Sequence, residues 1–420
     1  MPTAGPDRRS RLGAGLAALC LLLTPSLTGC SDDVSEPGTP PTGSRADGVV
    51  PLIEKVLRQR ARALKAGDEA AFLATVARTR SGFVDRERVY FANLAQLPLG
   101  RLAYRVDKSS LVRNGDEFAA VVRAHLQLEG YDEVPVVRPA KFRFTEDPRG
   151  DGLLVASDRD RAWERRNDVD VQPWDRRPVT VAAGSGVLGI FDDQSATKAA
   201  DVIGAVEDGI GHVRQVVPYD WSGNVVVYAM SQTDMLEALD DLPGGDPDSL
   251  DAVSFPVRAG NGEGLASTRF LLHPRMLDSD PQQLARLIRH ELTHVALGQR
   301  DDDVPRWLGE GIAEWVSVQP RPEDQRLISQ EAINAARAGL DELPGDAGYN
   351  GEDQAAHYGI SWWACQAIVD IYGESMLWRL LDELAATSSS DQADKLQQTL
   401  QMGAGQLARE ASRRIVATYG

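Results

Sequence analysis

Two successive patterns of apolar residues predict an α+β fold. From Val50 to about Leu94 they recur at helical spacing, and from Leu102 to Ser157 they alternate as in half-buried strands. Beyond Gly186, short strand-like runs give way to helical segments that continue to the C-terminus. The expected architecture is N-terminal helices plus an antiparallel sheet, then a small sheet with a helical C-terminal lobe.

The chain begins with a targeting pattern rather than a folding one. Arg8, Arg9 and Arg11 precede an uncharged, Ala- and Leu-rich run from Leu12 to Leu27, too short and wrongly flanked for an ordinary transmembrane helix. The run ends Leu27-Thr28-Gly29-Cys30, which resembles a bacterial lipobox. That resemblance implies a signal peptide over 1–29, cleavage before Cys30 and lipidation of its sulfur. Cys20 would then be removed, leaving Cys365 alone and no intramolecular disulfide in the mature chain. Residues 31–47 are rich in proline, glycine and acids and read as a disordered tether.

The full chain carries a formal charge of −17; losing residues 1–29 removes three arginines and one aspartate, which makes it −19. So acidic a protein is a poor partner for nucleic acid or anionic lipid, so its membrane contact is expected through the lipid anchor only. The expected location is the outer face of the cytoplasmic membrane.

Residues 48–185 form the first expected domain. A helix over Val50–Leu64 ends at Ala66-Gly67-Asp68, where Asp68 suits the N-cap of a helix over Glu69–Ala77, and a third surrounds Arg86–Leu94. Strands follow over Leu102–Val106, Glu117–Leu128, Val134–Phe144 and Leu153–Ser157, separated by turn residues. This layout resembles the nuclear-transport-factor-2-like cone, which often holds a pocket. His125, Tyr131 and Trp174 are candidates to line one, with core packing as the alternative. Gly184 to Gly189 spells G-x-G-x-x-G, but Ile190-Phe191 continues a strand, so no helix N-terminus follows to receive pyrophosphate.

The second expected domain, 186–420, should contain a helix over Ala196–Val217, a strand over Asn224–Met230, a helix over Gln232–Leu239 and a strand around Phe255 and Val257. A strand over Ser267–His273 leads into a helix over Pro281–Leu297, with further helices over Glu323–Ala338, Asp353–Tyr372, Glu374–Ala385 and Gly405–Thr418.

The chemistry is concentrated in His290-Glu291-Leu292-Thr293-His294. Helical residues four apart lie about 40° apart around the axis, so both imidazoles leave one face and Glu291 lies beside them. Sixteen positions later, Glu310 stands in Pro305-Arg306-Trp307-Leu308-Gly309-Glu310-Gly311-Ile312-Ala313-Glu314-Trp315. Two histidines and a glutamate are a common ligand set for catalytic zinc, which keeps one position open for water.

These motifs resemble those of the gluzincin metallopeptidases, the group that includes thermolysin and the aminopeptidase-N type enzymes, and most closely bacterial peptidase-MA-like proteins. The resemblance covers about 186–420 and is specific at the two motifs. It implies a Zn²⁺ cofactor on His290, His294 and Glu310, Glu291 as general base, and Glu314 behind a zinc histidine, assigned to His290. Tyr358, opening Tyr358-Gly359-Ile360-Ser361-Trp362-Trp363, matches the tyrosine that steadies the oxyanion, with His357 as a rival donor. His212 and His273 are expected to be structural or exposed, and Cys365 a buried small hydrophobe. The resemblance further implies that the strand over Ser267–Leu272 is a sheet edge that pairs with an extended substrate. No G-A-M-E-N-like run is present, which removes the usual anchor for a free amino end.

The function expected is zinc-dependent hydrolysis of extracytoplasmic peptides or proteins. The alternative is a non-catalytic zinc-containing binding lipoprotein that captures a ligand or partner. Replacing Cys30 by Ser is expected to release the protein from membranes, because the acidic chain has no basic patch to hold it there. Continued tight association in a membrane-fractionation assay would refute the lipobox.

Overall fold

In the computed structural model, residues 43–420 are described apart from 79–80, 151, 240–241, 243–244 and 261–263. The leader, Cys30 and most of the tether therefore lie outside the described residues. Three helices come first: α1 (Gly43–Ala66), α2 (Glu69–Leu73) and α3 (Ser81–Ala95). The start of α1 at Gly43 shortens the expected tether. Asp68 caps α2 as expected, its carboxylate accepting from Ala71 N at 2.9 Å. Five strands follow: β1 (Leu99–Val106), β2 (Val112–Asn114), β3 (Glu117–Leu128), β4 (Val136–Glu146) and β5 (Leu153–Ser157). They form an antiparallel sheet ordered β1-β3-β4-β5, with the short β2, absent from the sequence reading, also pairing with β3. Ile53 and Leu57 of α1 pack on Phe118, Val122, Phe144 and Val155, which gives this sheet its own apolar core.

Short helices α4 (Arg161–Arg166) and α5 (Pro173–Arg176) lead to a hairpin of β6 (Thr180–Gly184) and β7 (Val187–Phe191). Of the three glycines in the G-x-G-x-x-G match, Gly186 forms its turn at φ +80°, while Gly184 ends β6 and Gly189 lies within β7, as expected for a strand continuation. The turn also spans the expected boundary at 185/186, so the second sheet starts at Thr180. Then come α6 (Ala199–Val216), β8 (Val225–Ala229), β9 (Ala252–Arg258) and β10 (Leu265–Leu272). The expected helix over Gln232–Leu239 is reduced to a single 3₁₀ turn at Thr233–Met235. The sheet order is β6-β7-β8-β10-β9; β7, β8 and β10 run parallel, and both outer strands antiparallel.

Every residue of β7 and β8 is buried, because both faces of this sheet are covered. Val187, Phe191, Val225 and Val227 face α6 and α7 (Pro281–Leu297), whereas Leu188, Ile190, Val226 and Tyr228 meet Leu126 and Trp174 of the first region. The strand over Ser267–Leu272 is therefore not the edge. β10 lies between β8 and β9, pairing parallel with the first and antiparallel with the second. β9 is the edge, and Pro256 within it suits a strand with one unpaired side.

Helices complete the chain: α8 (Gln299–Asp302), α9 (Arg306–Val318), α10 (Gln330–Ala338), α11 (Gln354–Tyr372), α12 (Glu374–Ala385), α13 (Gln392–Leu400) and α14 (Ala404–Tyr419). The helix expected over Glu323–Ala338 breaks into a 3₁₀ turn at Glu323–Gln325 and α10, and α13 was not foreseen. No helix among the described residues is long and apolar enough to cross a membrane.

A buried polar cluster ties the first region to the second sheet. Arg269 on β10 pairs with Asp132 at 2.7 Å, the two side chains 2% and 0% exposed. Asp132 also accepts from Ser267 Oγ at 2.8 Å and Leu128 N at 2.9 Å, while Arg269 donates to Tyr228 at 2.6 Å. Removing one partner leaves an uncompensated buried charge. Asp132→Ala is expected to cost about 3–5 kcal/mol in urea unfolding. A loss within ~0.5 kcal/mol, typical of surface substitutions, would show that the pair contributes little.

Candidate metal centre

Local sequence explains why α7 forms where it does. Asp280 caps it by accepting from Gln282 N at 2.9 Å, Pro281 occupies the first turn, and Gly298 at φ +57° ends it. Leu284, Ile288 and Leu292 bury one side against α6, where Gly209 lets Leu292 approach. His290 and His294 leave another side, towards α9. That helix is held by buried Trp307, Leu308, Ile312 and Trp315.

The three expected ligands converge. His290 Nε2 and His294 Nε2 lie 3.1 Å apart, and Glu310 Oε2 is 3.2 Å from the first and 3.5 Å from the second. A tetrahedral ion bound at roughly 2.0–2.1 Å keeps its ligand atoms about 3.3 Å apart. The outer nitrogens face carboxylates. His290 Nδ1 lies 3.1 Å from Glu314 Oε1, off the straight line of a hydrogen bond, and His294 Nδ1 is 2.5 Å from Asp301 Oδ2. A proton held on each Nδ1 leaves both Nε2 lone pairs facing each other and the Glu310 carboxylate. That arrangement can hold a metal ion.

Without a cation, protons take up the excess negative charge. Burial disfavours a charged His290, but Glu310 and Glu314 outweigh it and lift the imidazole to about 9. His294 is also raised well above its ordinary value, by Asp301 and Glu310 against burial. Burial pushes the Glu310 carboxyl up, but the two imidazoles prevail and hold it well below its usual range. Glu314 is likewise lowered to about 2, since Arg286 and His290 outweigh burial.

Neighbouring residues absent from the sequence reading fix these groups. Arg286 donates to Glu314 at 2.5 Å and lies over the Trp362 ring, 5.4 Å from its centre. Ser254 on β9 donates to Glu291 Oε2 at 2.6 Å, which ties the carboxylate beside the histidines to the sheet edge. Asp301 lies seven residues after His294 within Asp301-Asp302-Asp303, a run that gives no hint which carboxylate turns inward. Ser254 has no sequence signal, because its contact with α7 is purely tertiary.

Tyr358, half-buried on α11, has its ring 5.9 Å from that of His290, and its hydroxyl donates to Asn350 at 3.3 Å. Burial first, then the Glu310 charge, raise its phenol well above the ordinary value, so it remains a neutral donor at pH 7. His357, the rival donor, instead contacts Tyr349 O at 2.7 Å. His290, Glu291, His294, Glu310 and Tyr358 together line a cleft of about 690 Å³.

No family model matches this chain, and no curated protein is significantly similar to it.

The remaining candidates have ordinary roles. Trp174 is buried between the two sheets, edge-on to Tyr228, and His125, Tyr131 and Trp174 all lie away from the cleft. His212 contacts Val316 O at 3.1 Å, and His273 caps the turn at Pro274 through Arg275 N. Cys365 is buried, and burial raises its thiol.

Two outcomes follow for the metal. Asp301→Asn, which removes the charge behind His294, is expected to weaken metal affinity about 10–100-fold; unchanged affinity in a competition titration would show that Asp301 plays no part. Because metal-free His290 stays protonated until about pH 9, an incoming divalent ion must displace a proton at pH 7. Affinity should rise as pH approaches 9 and fall below it. The check is calorimetry in buffers of different ionisation enthalpy, and buffer-independent heats would contradict proton release. In the metal-free protein the same shift stabilises the fold below pH 6.5, a contribution lost as pH rises through about 9.

Proposed function

We propose that this chain is a zinc-dependent peptidase of the gluzincin type, exported and held to the membrane by lipid on Cys30. The reading rests on one observation: two imidazole nitrogens and a carboxylate converge beside a buried, tethered glutamate in an open cleft. Two histidines and a glutamate suit zinc better than the harder cations, which prefer all-oxygen sites. When bound by His290, His294 and Glu310, zinc supplies a Lewis acid that acidifies water and polarises a carbonyl.

The chain's own groups carry the proton and the developing charge. Glu291 takes a proton from water as the oxygen adds to the amide carbonyl carbon, and returns it to the amine nitrogen as the C–N bond breaks. Ser254, bonded to Oε2, limits the orientations of that carboxylate. The Tyr358 phenol, neutral and half-buried at the cleft wall, donates a hydrogen bond to the carbonyl oxygen as it becomes negative. The β9 edge at the same wall offers unpaired backbone groups to an extended peptide.

Glu291→Gln preserves shape and all three ligands but removes basicity. It is expected to retain zinc and lose roughly 10²-fold or more of turnover on a peptide library. Tyr358→Phe should lower kcat on the order of 10²–10³-fold with zinc content unchanged. Full activity of Glu291→Gln would end this mechanism, and an inert wild type that binds zinc would favour the binding lipoprotein.

A further inference from the structure

Two cavities meet at the proposed catalytic residues. The larger, about 690 Å³, extends past His294 towards Asp301 and Arg306. The smaller, about 330 Å³, extends the other way, past Met276, Leu287 and Ala355. Leu250, Ala252, His290, Glu291 and Tyr358 border both. Glu291 therefore stands at a junction with space on either side, not at the floor of a closed pit.

An enzyme that trims chain ends needs a charged group to hold the terminal ammonium or carboxylate close to the scissile bond. Apart from Glu291, the proposed general base shared by both cavities, the smaller cavity has no charge to spare. Arg286 is taken by Glu314 and by Leu327 O at 3.0 Å, and Glu314 by Arg286 and His290. Asp251 pairs with Arg275 at 2.7 Å. What remains exposed to this space is apolar, from Leu250, Met276 and Leu287, with the neutral amides of Gln283 and Gln354. A charged terminus placed there would lose its water without gaining a counter-ion. An uncharged side chain in mid-chain loses nothing comparable, and the volume lies at the lower end of ordinary ligand pockets.

Resting on the peptidase reading, we propose that the substrate backbone passes through the site and is cut at an internal bond, with the smaller cavity receiving an uncharged side chain next to that bond. The larger cavity accommodates the rest of the chain. Arg258 and Arg306 complicate this assignment. Both line the larger cavity, and neither guanidinium forms an ion pair within 4 Å among the described residues, so recognition of a terminal carboxylate there is the competing outcome.

Blocked peptides distinguish the two. A peptide cleaved by the zinc-loaded wild-type protein is compared with its N-acetylated and C-amidated forms, with products located by mass spectrometry. An endopeptidase cuts all forms at the same internal bond with kcat/KM within about threefold. A loss of more than about tenfold on amidation, with release of C-terminal residues, would overturn the proposal in favour of end recognition at Arg258 or Arg306; such a loss on acetylation would do so in favour of an aminopeptidase. Ala355→Trp tests the smaller cavity separately, because Ala355 is exposed and lies outside the catalytic set. It should lower kcat/KM at least tenfold for bonds flanked by a large apolar residue and spare those flanked by alanine. Equal effects on both would remove the side-chain assignment. If no form of any peptide is cut, the peptidase reading fails and this inference with it; cleavage confined to chain ends would leave that reading standing and overturn only this one.

Discussion

The candidate metal centre depends on how closely α9 can approach its neighbours. Glu310 has a glycine one residue before it and another one residue after it, and each meets a different surface. A side chain at Gly311 would sit 2.5 Å from Ser361 O and 2.8 Å from Cys365 Sγ, so only glycine allows α9 to lie this near α11. A side chain at Gly309 would collide with the Asp301 carboxylate, the group that contacts His294. One six-residue stretch, 309–314, thus brings in the candidate carboxylate ligand, leaves room for the group behind one histidine, and through Glu314 supplies the group behind the other. The buried Trp307, Leu308, Ile312 and Trp315 hold that approach by packing.

The close approach concentrates negative charge. Glu310, Glu314, Asp301 and Glu291 crowd around two imidazoles, and Arg286 is the cation paired directly with one of them. Burial alone would push both histidines towards neutrality, yet both hold protons more tightly than usual. The fold therefore pays to assemble a place that is incomplete without added positive charge. Such an excess has little structural rationale, because apolar residues at these positions would pack with less penalty. A cation held between the Nε2 atoms would balance it, and these three groups are placed so that they could hold one.

Sequence patterns exposed the parts of this site that are local. The i,i+4 histidines and the short stretch around Glu310 and Glu314 each lie on one helix, so helical geometry carries them directly from spacing to position. Asp301 and Ser254 were not legible, since each reaches the site by a tertiary contact, one from the short α8 and one from β9. The fold shows the same division. α7 and α12 were read to the residue because caps and glycines mark their ends, whereas the Gln232–Leu239 segment has helical spacing but forms only one 3₁₀ turn. Which strand forms the edge was misplaced for a related reason: alternation predicts that β9 and β10 exist, but spatial order depends on how the hairpin folds back.

The first region has a mechanical connection to the candidate site. Asp132 binds Ser267 and Arg269 of β10, and Glu133 N and Val137 N donate to Ala266 O and Ala259 O of the same hairpin at 2.8 and 3.1 Å. β10 in turn pairs with β9 through seven residues, and β9 carries Ser254 to Glu291. An edge strand has no neighbour on its outer side, so its position depends on what holds its inner side. Here that support includes a fully buried ion pair from outside the sheet. In the proposed peptidase, Glu291 would have to be held within about 0.5 Å of its working geometry. A 2.6 Å hydrogen bond from a strand with one open side meets that tolerance only if the hairpin behind it is fixed. The first region supplies that fixation, and this is a physical reason for the two sheets to share one apolar core.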